Sequence, residues 1–231
     1  MKHAPPVAPP PVPAGATVTP VRPPLPSFGT GTEIWLARHA QVHEDYQKLA
    51  YGNRDVPLSA HGEQQTRDFW AAFEGVDAVR VQSSDLARAR FLGEGVARST
   101  GAELVLDARL REVDRGDWTL IPRTEFQDRW IESALEFHAD QYGWKGHNGE
   151  SDDDMFARIY PAFEEALHAA KGKRAFVTAH FNVVRILLSR LFGILPADSF
   201  HLPIQVGRAW LVRDGKDGWE RVHENVNTPN G

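Results

Sequence analysis

The sequence predicts an α/β protein, a three-layer α/β/α sandwich with a mainly parallel central sheet. Two observations predict this fold class. From Glu33 onward, short apolar runs alternate with longer amphipathic segments, as in β-α units whose parallel sheet is covered on both faces. The 231 residues, with 42% hydrophobic and 25% charged side chains, also have the ordinary composition of a globular chain with one core.

Five strands and five helices follow from these patterns. The predicted strands are Ile34–Ala37, Ala78–Gln82, Leu104–Leu106, Arg174–Ala179 and Ala209–Arg213. The predicted helices are His61–Phe73, Asp85–Ser99, Thr124–His138, Asp152–Ala170 and Asn182–Phe192. Ser59 and Ser151 are expected N-caps, and Gly193 is expected to end the last helix. Residues 215–218 predict a hairpin turn between late strands.

The first 28 residues differ in composition from the rest of the chain. Ten of the 16 prolines fall there, in a stretch with few side chains that could pack. Such a composition favours extended polyproline conformations, so we predict a disordered Pro-rich tail over residues 1–28 and a folded domain over residues 29–231. PxxP spacings in the tail, such as Pro6 to Pro9 and Pro23 to Pro26, leave docking on a partner as the less favoured alternative.

Charge and composition exclude several classes of function. A net charge of −5 and a pI near 6.1 provide no basic field for a nucleic-acid backbone, so no nucleic-acid partner is expected. The chain has no cysteine and therefore no thiolate chemistry. No apolar run is long enough for a membrane span and no secretory signal pattern is present, which predicts a cytoplasmic protein without a membrane partner.

Polar residues follow three of the predicted strands. Arg38 and His39 follow the first strand, Ser83 and Ser84 end the second, with Arg88 one helical turn later, and His180 follows the fourth. The carboxyl ends of the strands in an open α/β sheet form one rim, where helix N-termini favour anions. The sequence therefore predicts an anion site at this rim.

The residue types at this rim suit phosphoryl transfer. Two arginines, Arg38 and Arg88, can hold a phosphoryl group by forked hydrogen bonds without a metal. Imidazole has a reference pKa of about 6.5, so His39 can attack phosphorus in its neutral form. Glu112 follows the third strand and is our candidate general acid, since the leaving oxygen needs a proton. A dianionic phosphate beside it would favour its protonated form.

Five blocks of the sequence resemble the histidine phosphatase superfamily, which includes phosphoglycerate mutases and many phosphatases. In the family's order they are LARHA, SSDLARA, LREVDRGDW, GES at residues 149–151, and VTAHFNVVR. The resemblance covers about residues 33–190. It implies that residues 29–231 form a catalytic domain, that His39 is the phosphorylated nucleophile and Glu112 the proton donor, and that Arg38, Arg88 and His180 bind the phosphate.

Two of the departures from the family's pattern bear most directly on the pocket. Asp45 stands where the family often has a phosphate-contacting asparagine, and its charge repels phosphate unless it is paired or turned away. Phe181 replaces the glycine after the second histidine, and we expect it to narrow the pocket as a bulky wall. The structural alternative for Glu112 is a surface ion pair with Arg111 or Arg115.

The stretch between Glu112 and Gly149 is rich in aromatic residues and lies where such folds place a lid over the site. Helix packing explains most of these residues. The hypothesis is that the others, such as Trp144, form an apolar wall for the leaving group. The cations that could meet an anionic part of that group are Arg123, Arg129, Lys145 and His147.

We predict a phosphatase acting on a small phosphorylated substrate through a phosphohistidine. The remaining histidines lack metal-ligand spacing, so neither a metal site nor a cofactor is predicted. The alternatives are a phosphoglycerate mutase-type phosphotransferase and a non-catalytic phosphate-binding scaffold. Phosphatase is preferred because only 36 residues separate Glu112 from Gly149, and the resemblance implies a longer insertion there in mutases. The sequence predicts neither the physiological substrate nor the oligomeric state.

Overall fold

The computed structural model describes residues 7–230 and contains one six-stranded sheet. The strands are β1 (Glu33–Arg38), β2 (Arg80–Ser83), β3 (Glu103–Leu106), β4 (Arg174–Ala179), β5 (Ala209–Gly215) and β6 (Gly218–Val226). Their order in the sheet is β3-β2-β4-β1-β5-β6. The first four strands in this order are parallel, and β5 and β6 add an antiparallel hairpin at one edge. The sheet is therefore mainly parallel, as predicted.

Helices cover both faces of the sheet. They are α1 (Ala60–Ala72), α2 (Ala87–Thr100), α3 (Arg123–Glu132), α4 (Ala134–Ala139), α5 (Asp152–Ala170), α6 (Phe181–Phe192) and the short α7 (Pro196–Ser199). Helices α1 and α2 pack on one face, and α5 and α6 on the other. This is the predicted three-layer α/β/α sandwich.

Strand β1 illustrates why the sheet is buried on both sides. Successive side chains of a strand point to opposite faces. Ile34 and Leu36 belong to the core under α5 and α6, whereas Trp35 and Ala37 belong to the core under α1 and α2. All four are at most 1% exposed. Four consecutive buried apolar residues are typical of a strand at the centre of a parallel sheet. Strand β1 therefore holds the residues that follow it on a rigid element.

The predicted helix signals lie at the observed helix ends. The Ser59 hydroxyl accepts the N–H of Gly62 at the start of α1, and Ser151 forms a capping box with Asp154 at the start of α5. Gly193 ends α6 in the left-handed conformation. The predicted helix Thr124–His138 is wrong at its centre, because the chain leaves helical geometry at Ser133 (φ −87°, ψ 8°).

The break at Ser133 divides the lid segment, which we define as residues 113–148. The Ser133 hydroxyl donates to the carbonyl of Arg129 at 3.1 Å, a local bond that competes with the helical pattern. On either side of the break, Trp130 and Phe137 pack edge to face with ring centroids 5.6 Å apart. The two short helices thus remain packed against each other through these aromatic rings.

Residues 7–28 carry neither helix nor strand, and we call them the N-terminal strap. The His138 ring donates from Nε2 to the Pro10 carbonyl at 2.8 Å, and the Thr19 N–H donates to the His138 carbonyl at 2.9 Å. Arg22 forms an ion pair with Asp153 at 2.6 Å and its guanidinium lies 4.0 Å from the centroid of the Tyr142 ring. The strap thus connects the end of the lid segment with the start of α5.

The strap ends at a buried carboxylate of β5. Asp214 is 0% exposed and accepts the backbone N–H groups of Phe28, Gly29 and Thr30 at 2.6–3.1 Å, and the Thr30 hydroxyl at 2.6 Å. Burial alone would raise the pKa of Asp214, but the bonds from Thr30, Phe28 and Gly29 lower it below its ordinary value. Asp214 is therefore a charged anchor for the strap.

The predicted disordered tail over residues 1–28 stays a prediction, and the strap makes contacts that the sequence analysis did not foresee. The contacts above reach partners more than 100 positions along the chain, which is why local composition gave no sign of them. Residues 1–6 of the predicted tail lie outside the described residues, and the domain boundary at residue 29 stays a prediction. None of the helices within residues 7–230 is long and apolar enough to cross a membrane.

Candidate active site

Three neighbouring parallel strands end at one level of the sheet and carry the predicted site residues. Arg38 pairs with Ala179 and Ser83 pairs with Thr178, so the ends of β1, β2 and β4 lie side by side. The rings of His39 and His180, which follow β1 and β4, have centroids 5.2 Å apart. The predicted rim is therefore formed.

His39 is held with one ring nitrogen occupied. Its side chain is 1% exposed, and Nδ1 lies 2.7 Å from the carbonyl oxygen of Ala40. A carbonyl oxygen only accepts, so Nδ1 carries the hydrogen. In the neutral ring the lone pair is then on Nε2.

His180 is buried against positive charge. Burial, followed by the charges of Arg88, His39 and Arg38, lowers its pKa well below the ordinary value, so its ring is neutral at pH 7. Its Nε2 lies 2.9 Å from the hydroxyl of Ser84, while its Nδ1 is buried without a partner. If the Ser84 hydroxyl donates to Nε2, the ring proton is on Nδ1, where it can be donated to a ligand.

Two arginines complete the floor of the site. Arg38 donates from Nη1 to the Ile204 carbonyl at 2.7 Å, and Arg88 donates to the carbonyls of Arg54 and Gly52 at 2.7 and 3.0 Å. The Nε atoms of both are buried without a partner. Burial lowers the pKa of both side chains, although arginine stays charged at pH 7. The site is positively charged and has unused donors.

Glu112 lies inside this cluster rather than on the surface. It is 6% exposed, and its carboxylate accepts the N–H groups of Val113 at 2.8 Å and Asn182 at 3.3 Å. The alternative of a surface pair with Arg111 is not formed, because Arg111 donates to Asp85 at 2.7 Å. Nor do Glu112 and Arg115 form an ion pair.

The structure shows where the side chains of Asp45 and Phe181 lie. Asp45 is turned away, since its side chain is 79% exposed and lies 3.4 Å from His43. Phe181 is 6% exposed and lines the cleft in front of the site, with the Arg38 guanidinium 5.2 Å from its ring centroid. Asp45 therefore does not face the site, and Phe181 forms the expected wall.

The cleft leading to the cluster has a volume of about 660 Å³, including its open mouth. Its walls include Phe126 and Trp130 of the lid segment, together with Tyr51, which the sequence reasoning missed. The Arg88 guanidinium lies 5.2 Å from the Tyr51 ring centroid. A lone tyrosine in a loop gave no signal of this contact. Within residues 7–230, no group of three or more metal-ligating side chains is close enough to hold a metal ion.

The fold and the site define a class of protein, an α/β protein with two histidines and two arginines at one rim of a mainly parallel sheet. The family model of the histidine phosphatase superfamily (branch 1) matches residues 34–227. The chain therefore belongs to the histidine phosphatase superfamily, whose members named below are phosphatases or phosphoglycerate mutases.

The chain is also similar to a curated protein and to solved structures. A probable phosphoglycerate mutase GpmB of Salmonella arizonae is 27% identical over 176 residues, covering 71% of this chain and 76% of that protein. A mycobacterial glucosyl-3-phosphoglycerate phosphatase has a TM-score of 0.72 at 22% identity, covering 84% and 98% of the two chains. A putative alpha-ribazole-5'-P phosphatase of Escherichia coli has a TM-score of 0.69 at 22% identity, covering 85% and 98%. The two solved structures share the fold.

Proposed function

We propose that this chain is a phosphatase that hydrolyses phosphate monoesters through a phosphohistidine on His39. The observation that carries the proposal is the set of buried nitrogens without a partner, on Arg38, Arg88 and His180. A buried donor without a partner costs about 1–3 kcal/mol. A phosphoryl group bound among them would remove this cost, because guanidinium groups donate to its oxygens with charge assistance.

The first step transfers the phosphoryl group to His39. The lone pair on Nε2 attacks phosphorus, the N–P bond forms, and the bond from phosphorus to the ester oxygen breaks. Glu112 gives its proton to that oxygen, which leaves as an alcohol. Arg38, Arg88 and His180 hold the phosphoryl oxygens throughout, so that their positive charge and hydrogen bonds stabilise the transition state.

The second step returns the enzyme to its starting state. Water attacks phosphorus, the Glu112 carboxylate takes one proton from that water, and the N–P bond breaks. The electron pair of this bond returns to Nε2, and inorganic phosphate leaves. The bond from Nδ1 to the Ala40 carbonyl keeps the ring in one tautomer and orientation for the next cycle.

A mutase is the second candidate, and the name of the Salmonella relative favours it. A mutase would pass the phosphoryl group from His39 to a phosphoglycerate. Only 36 residues between Glu112 and Gly149 leave little chain for holding a reoriented intermediate, which supports the phosphatase. Activity that depends on added bisphosphoglycerate would identify a mutase. A non-catalytic scaffold would be favoured if the charge of Asp45 repelled phosphate from the site, but the Asp45 side chain is exposed and turned away.

The test is hydrolysis of p-nitrophenyl phosphate between about pH 5 and 8 with EDTA present. We expect turnover by the wild type and a loss of at least about 1,000-fold in His39→Ala. The matched control is His61→Ala, because His61 is an exposed histidine on α1. Brief reaction with labelled ester followed by an alkaline quench should trap an acid-labile phosphoramidate in the wild type only.

Two outcomes would overturn the proposal. One is turnover by His39→Ala at the wild-type rate. The other is a folded wild type that binds phosphate but hydrolyses no monoester and traps no phosphoramidate, which would favour the scaffold.

A further inference from the structure

The cleft contains two arginines besides the one in the phosphate cluster. Arg115 and Arg123 line it together with Arg38, and Glu112 is the one acidic residue among the lining residues. Arg115 follows Glu112 by three positions, and Arg123 begins α3. The cleft therefore has more positive charge than a single phosphoryl group with its proton donor requires.

Arg115 is a half-buried cation that forms no ion pair within the described residues. Its guanidinium lies 4.7 Å from the Phe126 ring centroid, and none of the ion pairs or side-chain hydrogen bonds within the described part of the chain includes it. Burial lowers the pKa of Arg115. The charge of Glu112 opposes this effect, whereas the charges of Arg185 and Arg123 add to it. A charged group in such surroundings is stabilised by an anion.

Arg129, Lys145 and His147 of the lid segment differ from Arg115 in pairing or in charge. Arg129 is paired with Glu125 at 2.6 Å, and Lys145 is paired with Asp154 at 2.7 Å. Burial, followed by the charge of Arg115, lowers the pKa of His147 to about 4, so this ring is neutral at pH 7. The cation best placed to meet an anionic part of a ligand is thus Arg115, with Arg123 beside it.

A second cavity of about 460 Å³ adjoins the cleft under the lid segment. Arg115, Phe126 and Trp130 line both spaces, so Arg115 lies at their junction. Trp130 is 4% exposed, and its indole N–H is buried without a partner. This orphaned donor is a second, independent sign that an acceptor group binds next to Arg115.

We propose that Arg115 binds a second anionic group, a carboxylate or a phosphate, on the leaving group of the substrate. The substrate class is then phosphate monoesters whose alcohol part is itself an anion with an apolar or aromatic body. The inference rests on the proposed phosphatase function. The phosphoryl group lies on His39 and Arg38, the second anion on the forked guanidinium of Arg115, and the body of the leaving group against Phe126 and Trp130.

The experiment uses esters that differ only in the second charge. The neutral ester is 3-carbamoylphenyl phosphate, and the anionic esters are 3-carboxyphenyl phosphate and 1,3-phenylene bisphosphate, with the 4-substituted isomers in parallel. Phosphate release gives kcat/KM for each. We expect the better anionic ester to exceed the neutral one by at least about tenfold in the wild type. The carboxylate and bisphosphate arms show which anion the subsite takes.

Three variants separate binding by charge from a structural role. Arg115→Gln should abolish the preference through a raised KM for the anionic esters, with kcat for the neutral ester within about twofold of wild type. Arg115→Lys should restore part of the preference. Arg129→Gln is the matched control on α3 and should keep the preference, because Arg129 does not line the cleft.

The outcomes distinguish this inference from the function on which it rests. His39-dependent turnover of the neutral ester, with no anionic preference in any isomer, overturns the anion subsite and leaves the phosphatase intact. The same holds for a preference that survives in Arg115→Gln. Absence of His39-dependent turnover with every ester overturns both.

Discussion

His147 gives the lid segment a defined response to acid. Its side chain is 5% exposed, and its Nδ1 accepts the N–H of Gly149 at 3.0 Å. The rings of Trp118 and Trp144 lie edge-on with centroids 5.6 and 5.2 Å away. Burial and then the charge of Arg115 lower the pKa of His147 from 6.5 to about 4. Protonation would break the bond from Gly149 and bury a second positive charge beside Arg115.

The sign and size of the effect follow from linkage. The unfolded chain takes up a proton at His147 as the pH falls below about 6.5, whereas the folded chain does so only near pH 4. Stability from this group is therefore complete above pH 6.5 and is lost as the pH falls from 6.5 to 4. Two pKa values 2.5 units apart give a loss of about 2 kcal/mol at pH 5 and about 3 kcal/mol at pH 4.

Urea unfolding at pH 7.5 and 5.0 measures this loss. His147→Gln keeps an acceptor for Gly149 but does not titrate, so the wild type should lose about 2 kcal/mol more than the variant between the two pH values. His61→Gln, at an exposed position, should behave like the wild type. Equal pH dependence of the wild type and His147→Gln would refute the reasoning.

Two further predictions concern stability. Asp214→Asn removes the charge that holds the strap and should lower the free energy of unfolding by about 2–4 kcal/mol. The control Asp217→Asn, in the exposed hairpin turn, should change it by less than about 0.5 kcal/mol. Urea unfolding compares the two variants, and equal effects would contradict the role of Asp214 as an anchor. In Gly62→Ala the new Cβ would lie 1.9 Å from the Gln41 carbonyl oxygen, so α1 or the loop after His39 must shift. We expect a loss of about 3 kcal/mol and lower phosphatase activity, with the exposed Glu63→Ala as control; unchanged thermal unfolding and activity would contradict this close approach.

Local sequence signals predicted much of the fold. The bounds of β4 and α5 agree with the predicted Arg174–Ala179 and Asp152–Ala170, because a mainly apolar strand and a capped amphipathic helix are specified by their own residues. The break at Ser133 was missed because neither glycine nor proline marks it.

The site residues could be predicted where they directly follow a strand. His39 and His180 follow buried strands, so their proximity follows from parallel topology. Arg115 was considered only as a surface partner of Glu112, since spacing in a loop does not tell which side chain is buried. Asp214 gave no signal, because its partners at the end of the strap lie 184–186 positions earlier in the chain.

The anchor at Asp214 also orders events during biosynthesis. The strap is translated before every one of its partners, and Asp214 follows Phe28 by 186 residues. At about 5–20 residues per second, the ribosome needs about 10–40 s to add that length. The end of the strap therefore cannot dock before β5 has been made, whereas Pro10 and Arg22 can already contact His138 and Asp153. Closing this long loop is one of the last steps of folding. A ribosome that stalls before β5 would leave a chain with β1 complete but the end of its strap unattached.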